Sequence, residues 1–88
     1  MIRLGVNIDH IATLRNARGE HHPDPLFAAK YIKKLGVDSI TIHLREDRRH
    51  IRDDDAKKIC SIKGLLVNLE ISTKNEIIKN ALKINPNF

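Results

Sequence analysis

The sequence predicts an α/β fold in which three parallel strands alternate with helices. Three short apolar runs alternate with segments of helical apolar spacing, a pattern typical of right-handed βαβ units. Each run ends in a polar, apolar, polar triplet: Asn7-Ile8-Asp9, His43-Leu44-Arg45 and Asn68-Leu69-Glu70. Residues two apart in a strand point to the same face. Each run therefore delivers two polar side chains to one face at its C-terminal end, where parallel α/β proteins build their sites.

Polar side chains on the inner face of a parallel sheet suit the mouth of a barrel, because other parallel sheets are buried on both faces. A (β/α)8 barrel needs about 250 residues, whereas this chain has 88. We therefore predict one partial domain, residues 1–88, made of the first three β/α units of a TIM barrel that is not closed.

The first unit is predicted to begin with a strand over residues 3–8, followed by a polar loop over residues 9–23. Within this polar stretch we expect a short helical turn. The residues that favour this turn are Ile11, Ala12 and Leu14.

The helix of the first unit is predicted over residues 25–35 from the residues at its ends. Asp24 is a good N-cap, Pro25 suits the first helical position, and Gly36 closes the helix. The predicted apolar stripe consists of Ala28, Tyr31, Ile32 and Leu35.

The second unit is predicted as a strand over 37–43, a charged loop over 44–52 and a helix over 54–63. The aspartates at 53–55 lie where the dipole of that helix favours negative charge. Ile59 and Cys60 are expected to face inward.

The third unit is predicted as a strand over 65–70 and a helix over 74–83, after which Phe88 would begin another element. Thr73 and Glu76 form a capping-box pattern at the start of that helix. Its predicted apolar face consists of Ile77, Ile78, Ala81 and Leu82.

The amino-acid composition indicates which kinds of molecule the protein is expected to bind. The net charge of +5 favours an anionic partner. Aromatic residues make up only 3%, which argues against a nucleic-acid binder that stacks bases. No segment reaches the ~18 apolar residues of a membrane span, so no membrane partner is expected. A single cysteine, Cys60, fits a reducing cytoplasm and is expected only to pack in the interior.

Asp9 and His10 follow the first strand and allow two interpretations that can hold together. Asp9 caps a short following helix, or both side chains bind substrate hydroxyls or a carbonyl.

The charged run over 43–50 also allows two interpretations. It is a solvated loop, or it binds phosphate, because it directly follows a strand and arginine binds phosphate in bidentate fashion.

Glu70 ends a strand of otherwise nearly apolar residues. Partial burial would raise its pKa toward the range useful for a general base, and a structural salt bridge is the alternative. Arg15 and Arg18, in the first loop, are weaker candidates for holding a phosphate. His21 and His22 are adjacent on a loop and seldom reach one ion together, so no metal is expected.

On these residues the chain resembles the pyridoxine 5'-phosphate synthase family, which closes the pyridine ring of vitamin B6. The matching stretches are residues 5–19, 23–25 and 42–51, with 68–70 at the expected end of the third strand. The resemblance implies a (β/α)8 barrel, a transferase that needs no metal or organic cofactor, and a homo-oligomeric, cytoplasmic complete enzyme. The implied reaction condenses 1-deoxy-D-xylulose 5-phosphate with 3-amino-2-oxopropyl phosphate, and pyridoxine 5'-phosphate, phosphate and water are formed.

The resemblance also implies roles for individual residues. His43 and Glu70 would be proton acceptors. The residues expected to bind substrate are Asn7 and Arg18 for the amino-ketone phosphate, and Asp9, His10, Arg45 and His50 for the deoxyxylulose phosphate.

The resemblance covers about the first third of such an enzyme. The missing part supplies a further Glu, a His proton donor and glycine-rich phosphate contacts in the family. We therefore expect the 88-residue chain alone to be an inactive fragment. The alternatives are a non-catalytic phosphate-binding or self-assembling remnant, and a basic nucleic-acid binder whose affinity would depend steeply on salt.

Overall fold

A computed structural model describes residues 2–88 and contains three strands and four helices within them. In chain order these are β1 (Gly5–Asn7), α1 (Asp9–Arg18), α2 (Pro25–Lys34), β2 (Ser39–Leu44), α3 (Asp53–Cys60), β3 (Val67–Ile71) and α4 (Asn75–Ile84). The three predicted strands and three predicted helices are all present, with ends that differ from the prediction by up to three residues.

The strands form one parallel sheet in the order β1-β2-β3, which confirms the predicted parallel, unclosed α/β arrangement. The register places Asn7 beside Thr41 and Thr41 beside Asn68. Two residues further along the strands, His43 lies beside Glu70. The C-terminal ends of the strands therefore meet at one edge, as the triplets predicted.

The two faces of the sheet differ in what they carry. One face is packed under the helices and is fully buried in β2, at Ile40, Ile42 and Leu44. The other face carries Thr41 and His43, which are half-buried because no further strands or layer cover it. Alternation along β2 thus separates a hydrophobic core from a polar, accessible surface.

Helix α1 is the main departure from the sequence-based expectation. A loop over 9–23 with one short helical turn was predicted, but Asp9–Arg18 is a ten-residue helix. It ends at Gly19, whose φ of 67° is the left-handed conformation that glycine adopts at low cost. The buried residues of α1 are Asp9, Ala12 and Arg15. Because two of the three are charged, the helix has no apolar stripe from which to predict it.

Two predicted apolar stripes are partly wrong. In α2 the buried residues are Pro25 and Ala29, whereas Tyr31 and Leu35 are exposed. In α4, Ile77 is buried as predicted, but Leu82 is 75% exposed. Apolar residues occur on several sides of each helix, so periodicity alone does not determine the side that packs against the sheet.

The helix starts are only partly as predicted. Asp24 caps α2 by accepting a hydrogen bond from the Leu26 backbone N–H at 3.0 Å, which confirms the prediction. The predicted capping box of Thr73 and Glu76 is wrong, because the N-cap of α4 is Lys74 and has no side-chain cap bond. The free edge of β3 is extended by Phe88, whose backbone N–H donates to Val67 O and whose carbonyl accepts from Leu69 N–H.

None of the helices within residues 2–88 is long and apolar enough to cross a membrane.

Candidate active site at the strand ends

Three side chains converge beside the C-terminal end of β2. Asp9 begins α1, His43 lies near the end of β2, and His50 lies in the loop before α3. A nitrogen or oxygen atom of each lies within 4.8 Å of one in each of the other two. The imidazole rings of His43 and His50 are 6.0 Å apart between centroids and tilted by 55°. All three were predicted site residues, and the fold brings them together.

Asp9 is buried and joins the first two strand ends. Its Oδ1 accepts a hydrogen bond from the His43 backbone N–H at 2.8 Å. Its Oδ2 accepts from Asn7 Nδ2 at 3.1 Å, and Asn7 Oδ1 accepts from the Asp9 backbone N–H at 2.8 Å. The interpretation of Asp9 as an N-cap is therefore wrong, because Asn7 makes the hydrogen bond at the start of α1. Asp9 instead fixes β2 against α1.

His50 is buried, with only 7% of the residue exposed. Its Nδ1 accepts a hydrogen bond from the Ile51 backbone N–H at 2.8 Å. Burial lowers the pKa of His50 below its usual value; Asp9 opposes this shift, and His43, Arg45 and His10 add to it. At neutral pH the ring is therefore uncharged.

A buried ion pair fixes the loop that carries His50. Arg15 donates from Nη1 and Nη2 to the two carboxylate oxygens of Asp55 at 2.7 and 2.8 Å, and it also reaches the His50 carbonyl at 3.4 Å. Asn16 Nδ2 donates to the carbonyls of Arg49 and His50 at 3.0 and 2.9 Å. We call this set, Arg15, Asn16 and Asp55, the α1 clamp. Arg15 was a weak candidate for phosphate binding, and the structure instead uses it to hold α1 against the start of α3.

Glu70 lies beside His43 in the sheet but is exposed. The partial burial considered for Glu70 is therefore absent from this chain. The salt-bridge alternative is not supported either, because Glu70 forms no ion pair within the described residues. Nearby, a cavity of about 350 Å³ is lined by His43, Arg45, Glu46, Asp47 and Ser72.

The charged loop after β2 is largely paired within itself and with its neighbours. Asp47 accepts from Arg45 at 3.2 Å and from Arg49 at 3.3 Å, and these arginines hold the pKa of the Asp47 carboxyl below its usual value. Arg48 donates to Asp53 at 2.6 Å. Asp47 is thus paired with two arginines of its own loop, while Arg48 pairs outside the loop. These exposed ion pairs contribute little to stability and can open for an anionic ligand.

One predicted substrate-binding residue, Arg18, stands apart from the cluster. Arg18 is at the other end of α1 from Asp9, roughly 13 Å along the helix axis at 1.5 Å per residue, and it pairs with Glu20 at 3.1 Å. His10 follows Asp9 and is exposed. The structure brings Asn7, Asp9, His43, Arg45 and His50 to one region and leaves Arg18 outside it.

The side chains of Asp9, His43 and His50 are of types that bind metal ions, although no metal site was expected from the sequence. The hydrogen bond from Ile51 argues against such a site. An Nδ1 that accepts a hydrogen bond has no proton, so the neutral ring carries its proton on Nε2. His50 then has no lone pair left for a metal, and two ligands remain where catalytic zinc sites use three. We derive no metal chemistry from this cluster.

Two residues were missed as contributors to the site. Ser72 lines the cavity beside His43 from the loop after β3, and its position just beyond a strand end was a usable signal. Asp55 was interpreted only through the helix dipole, whereas it also pairs with Arg15. No pattern in the sequence links residues 40 positions apart, so this role was not predictable.

The assembled site offers an uncharged donor, an accessible imidazole and carboxylates beside a loop of arginines. Such a set can move protons and hold an anionic, oxygen-rich molecule.

Comparisons with known proteins point to one family. The family model described as pyridoxal phosphate biosynthesis protein PdxJ matches residues 4–88. Among relatives, a pyridoxine 5'-phosphate synthase from Pelagibacter ubique is 62% identical over 88 residues, which are 100% of this chain and 37% of the relative. The synthase of the same name from Nautilia profundicola is 55% identical over 97% of this chain and 33% of its own length. That from Idiomarina loihiensis is 51% identical over 99% of this chain and 36% of its own length. The chain spans about a third of the length of these relatives.

Proposed function

The chain belongs to the PdxJ family of pyridoxal phosphate biosynthesis proteins, and on that premise we propose that it forms the first three β/α units of a pyridoxine 5'-phosphate synthase. The proposed reaction condenses 1-deoxy-D-xylulose 5-phosphate with 3-amino-2-oxopropyl phosphate. The products are pyridoxine 5'-phosphate, inorganic phosphate and water. The observation that carries the proposal is the convergence of Asp9, His43 and His50 at the strand ends, with Glu70 beside His43 in the sheet.

In this proposal His43 and Glu70 accept protons. His43 is half-buried and Glu70 is exposed at the open inner face, so both are accessible to a ligand. The reaction requires imine formation, elimination and ring closure, and each of these steps moves protons. Two acceptors on neighbouring strands suit a sequence of such steps.

The remaining site residues hold the substrates. Arg45, at the end of β2, lines the same cavity as His43 and carries a permanent positive charge for a phosphate. Asn7 presents its amide to the amino-ketone phosphate, and Asp9 presents its carboxylate to the hydroxyls of the deoxyxylulose phosphate. Arg18 and His10 complete the proposed set, and Arg18 would need to act from the far end of α1.

A phosphate-binding module without catalysis is less well supported. Such a module would account for the arginines after β2 but does not need the accessible His43 and Glu70 that lie side by side in the sheet. Saturable phosphate binding without turnover would favour that alternative.

The test uses a barrel chimera, in which residues 1–88 replace the matching segment of the Pelagibacter ubique relative. We expect the chimera to form pyridoxine 5'-phosphate. His43→Asn and Glu70→Gln should each lower kcat by about 10²–10⁴-fold with little effect on KM. Arg45→Ala should mainly raise KM for the sugar phosphate, because its charge binds substrate before and after reaction.

Lys58→Ala is the matched control, since Lys58 is exposed on α3 away from the site. It should change neither constant. Near-native kcat in both His43→Asn and Glu70→Gln would overturn the proposed roles, and a chimera that folds but forms no product would overturn the proposed function.

A further inference from the structure

We propose that Arg48 is a positioning residue that fixes the loop after β2 and so keeps Arg45 at the cavity beside His43, where Arg45 binds the substrate phosphate. This inference rests on the proposed function, because it assigns a task to a residue outside the set that binds substrate or moves protons. Arg48 does not line that cavity, so it acts through the loop that carries Arg45.

Arg48 holds the loop from within. Its Nη1 donates to the backbone carbonyls of Glu46 and Arg45 at 2.8 and 3.3 Å. Its backbone N–H also donates to the Arg45 carbonyl at 3.2 Å, which closes the turn over residues 45–48. The Arg45 carbonyl therefore accepts two hydrogen bonds from one residue, and its peptide group cannot rotate without breaking both.

The same guanidinium anchors the loop to the next two helices. Nε and Nη2 of Arg48 donate to the two carboxylate oxygens of Asp53, the first residue of α3, at 2.6 and 3.4 Å. Nη2 also donates to Glu76 Oε1 at 3.2 Å, in the first turn of α4. A second link joins Lys74 Nζ to the Glu46 carboxylate at 3.3 Å. The loop is thus tied to two helices that pack on the sheet.

Arg48 differs from the other two arginines of this loop. Its side chain is 22% exposed, whereas those of Arg45 and Arg49 are 39% and 66% exposed and, within residues 2–88, form ion pairs only with Asp47. An isolated exposed ion pair opens readily, whereas several charges joined in one network keep their geometry. Arg45 can therefore leave Asp47 for a phosphate while Arg48 keeps the backbone in place.

The backbone of Arg48 supports the same role. Its φ of 52° is a left-handed conformation that residues with a side chain adopt rarely. Such a conformation persists only where the surroundings hold it, and the bonds to two carbonyls and two carboxylates supply that restraint. Glycine would adopt this φ without strain, so the arginine side chain is what the position uses.

A fixed loop lowers the free-energy cost of binding the sugar phosphate. A ligand that has to order a mobile loop loses part of its binding free energy in doing so. With Arg48 in place, only the Arg45 side chain has to move from Asp47 to the phosphate. Arg48 should therefore affect substrate affinity rather than the proton transfers assigned to His43 and Glu70, which lie on strands.

Steady-state kinetics of the barrel chimera separate positioning from charge. Arg48→Met removes the side-chain hydrogen bonds, and Arg48→Lys keeps the charge but lacks the planar fork of donors. We expect both variants to raise KM for the sugar phosphate about tenfold, with kcat within about threefold of the parent. Arg49→Met removes an exposed charge from the same loop and should change KM by less than about threefold. A parent-like KM in Arg48→Lys, a loss confined to kcat, or an equal effect of Arg49→Met would overturn the proposal.

Hydrogen exchange followed by mass spectrometry measures the loop without any substrate. In the barrel chimera, we expect Arg48→Met to speed amide exchange over residues 44–50 about tenfold, and Arg49→Met to leave it near the parent rate. Glu76→Gln weakens only the bond to α4 and should speed exchange by about threefold, so it provides the test if Arg48→Met does not fold. Parent-like exchange in these Arg48 and Glu76 variants would overturn the proposal. A loop that loosens in a chimera that forms no product would leave the positioning role intact and remove only the proposed reaction.

Discussion

Arg15→Met should strongly destabilise the fold, because it breaks the buried ion pair of the α1 clamp. The Arg15 and Asp55 side chains are only 6% and 8% exposed, and two hydrogen bonds of 2.7 and 2.8 Å join them. Hydrogen bonding to Asp55 is the largest cause that raises the pKa of Arg15 above its usual value, so the guanidinium stays charged at working pH. Methionine fills a similar volume but leaves the Asp55 carboxylate with only the Arg52 backbone N–H at 2.9 Å.

The expected loss is about 3–5 kcal/mol, the usual result of removing one partner from a buried pair. In the barrel chimera, with a urea m-value of about 3 kcal/mol per M, the unfolding midpoint should fall by about 1–2 M. Adding Asp55→Asn should restore more than half of the loss, because it removes the unpaired charge and keeps an acceptor for Arg52.

Urea unfolding followed by circular dichroism measures these shifts. Lys58→Met is the matched control, since Lys58 and Asp54 are 63% and 67% exposed and 4.0 Å apart. We expect this control to change stability by less than about 0.5 kcal/mol. If Arg15→Met were no more destabilising than Lys58→Met, the interpretation of the clamp as a structural ion pair would fail.

Three further predictions concern pH, thiol chemistry and the chain alone. Burial lowers the pKa of His50 in the fold, so its contribution to stability is present above the unfolded pKa of about 6.5 and is lost as pH falls through the folded pKa. Between pH 7 and 5, the free energy of unfolding should therefore fall less in His50→Gln than in the parent. An equal fall in both proteins would contradict this prediction. Burial raises the pKa of Cys60 to about 11, so little of the reactive thiolate is present at pH 8. Alkylation of Cys60 at that pH, measured by peptide mapping, should be about 100-fold slower than alkylation of a free thiol. An equal rate would contradict this prediction. Residues 1–88 alone should form no pyridoxine 5'-phosphate, and measurable product would disprove this claim. They should also self-associate through exposed strand edges, and a monodisperse monomer in analytical ultracentrifugation would disprove that claim.

Much of the fold was predictable because strong local signals agreed with one another. Alternating strands and helices, the Asp24 cap and the polar triplets all favoured the observed parallel arrangement. Helix α1 was missed because two charged residues lie on its buried face. Asp9 accepts a hydrogen bond from the His43 backbone, and Arg15 pairs with Asp55, so neither residue adds to an apolar stripe. Hydrophobic periodicity cannot detect a helix whose buried side chains are charged.

The site was predictable in composition but not in geometry. Position after a strand identified His43 and Glu70, and the register places them side by side. The exposure of Glu70 was not predictable, because burial at an inner barrel face depends on strands beyond the three described here. The tautomer of His50 depends on a single hydrogen bond from the next residue, which no spacing rule reveals.

The α1 clamp also determines how this protein can be recombined. Arg15 and Asn16 contact Asp55 and the His50 loop across 33 to 40 positions of sequence. A crossover between residues 17 and 48 therefore takes the two sides of the clamp from different homologues. We expect such a crossover to disturb the orientation of His50 and to lower stability. Crossovers before residue 9 or after residue 60 keep the clamp within one parent, and gene libraries built from this family should retain function mainly at those breakpoints.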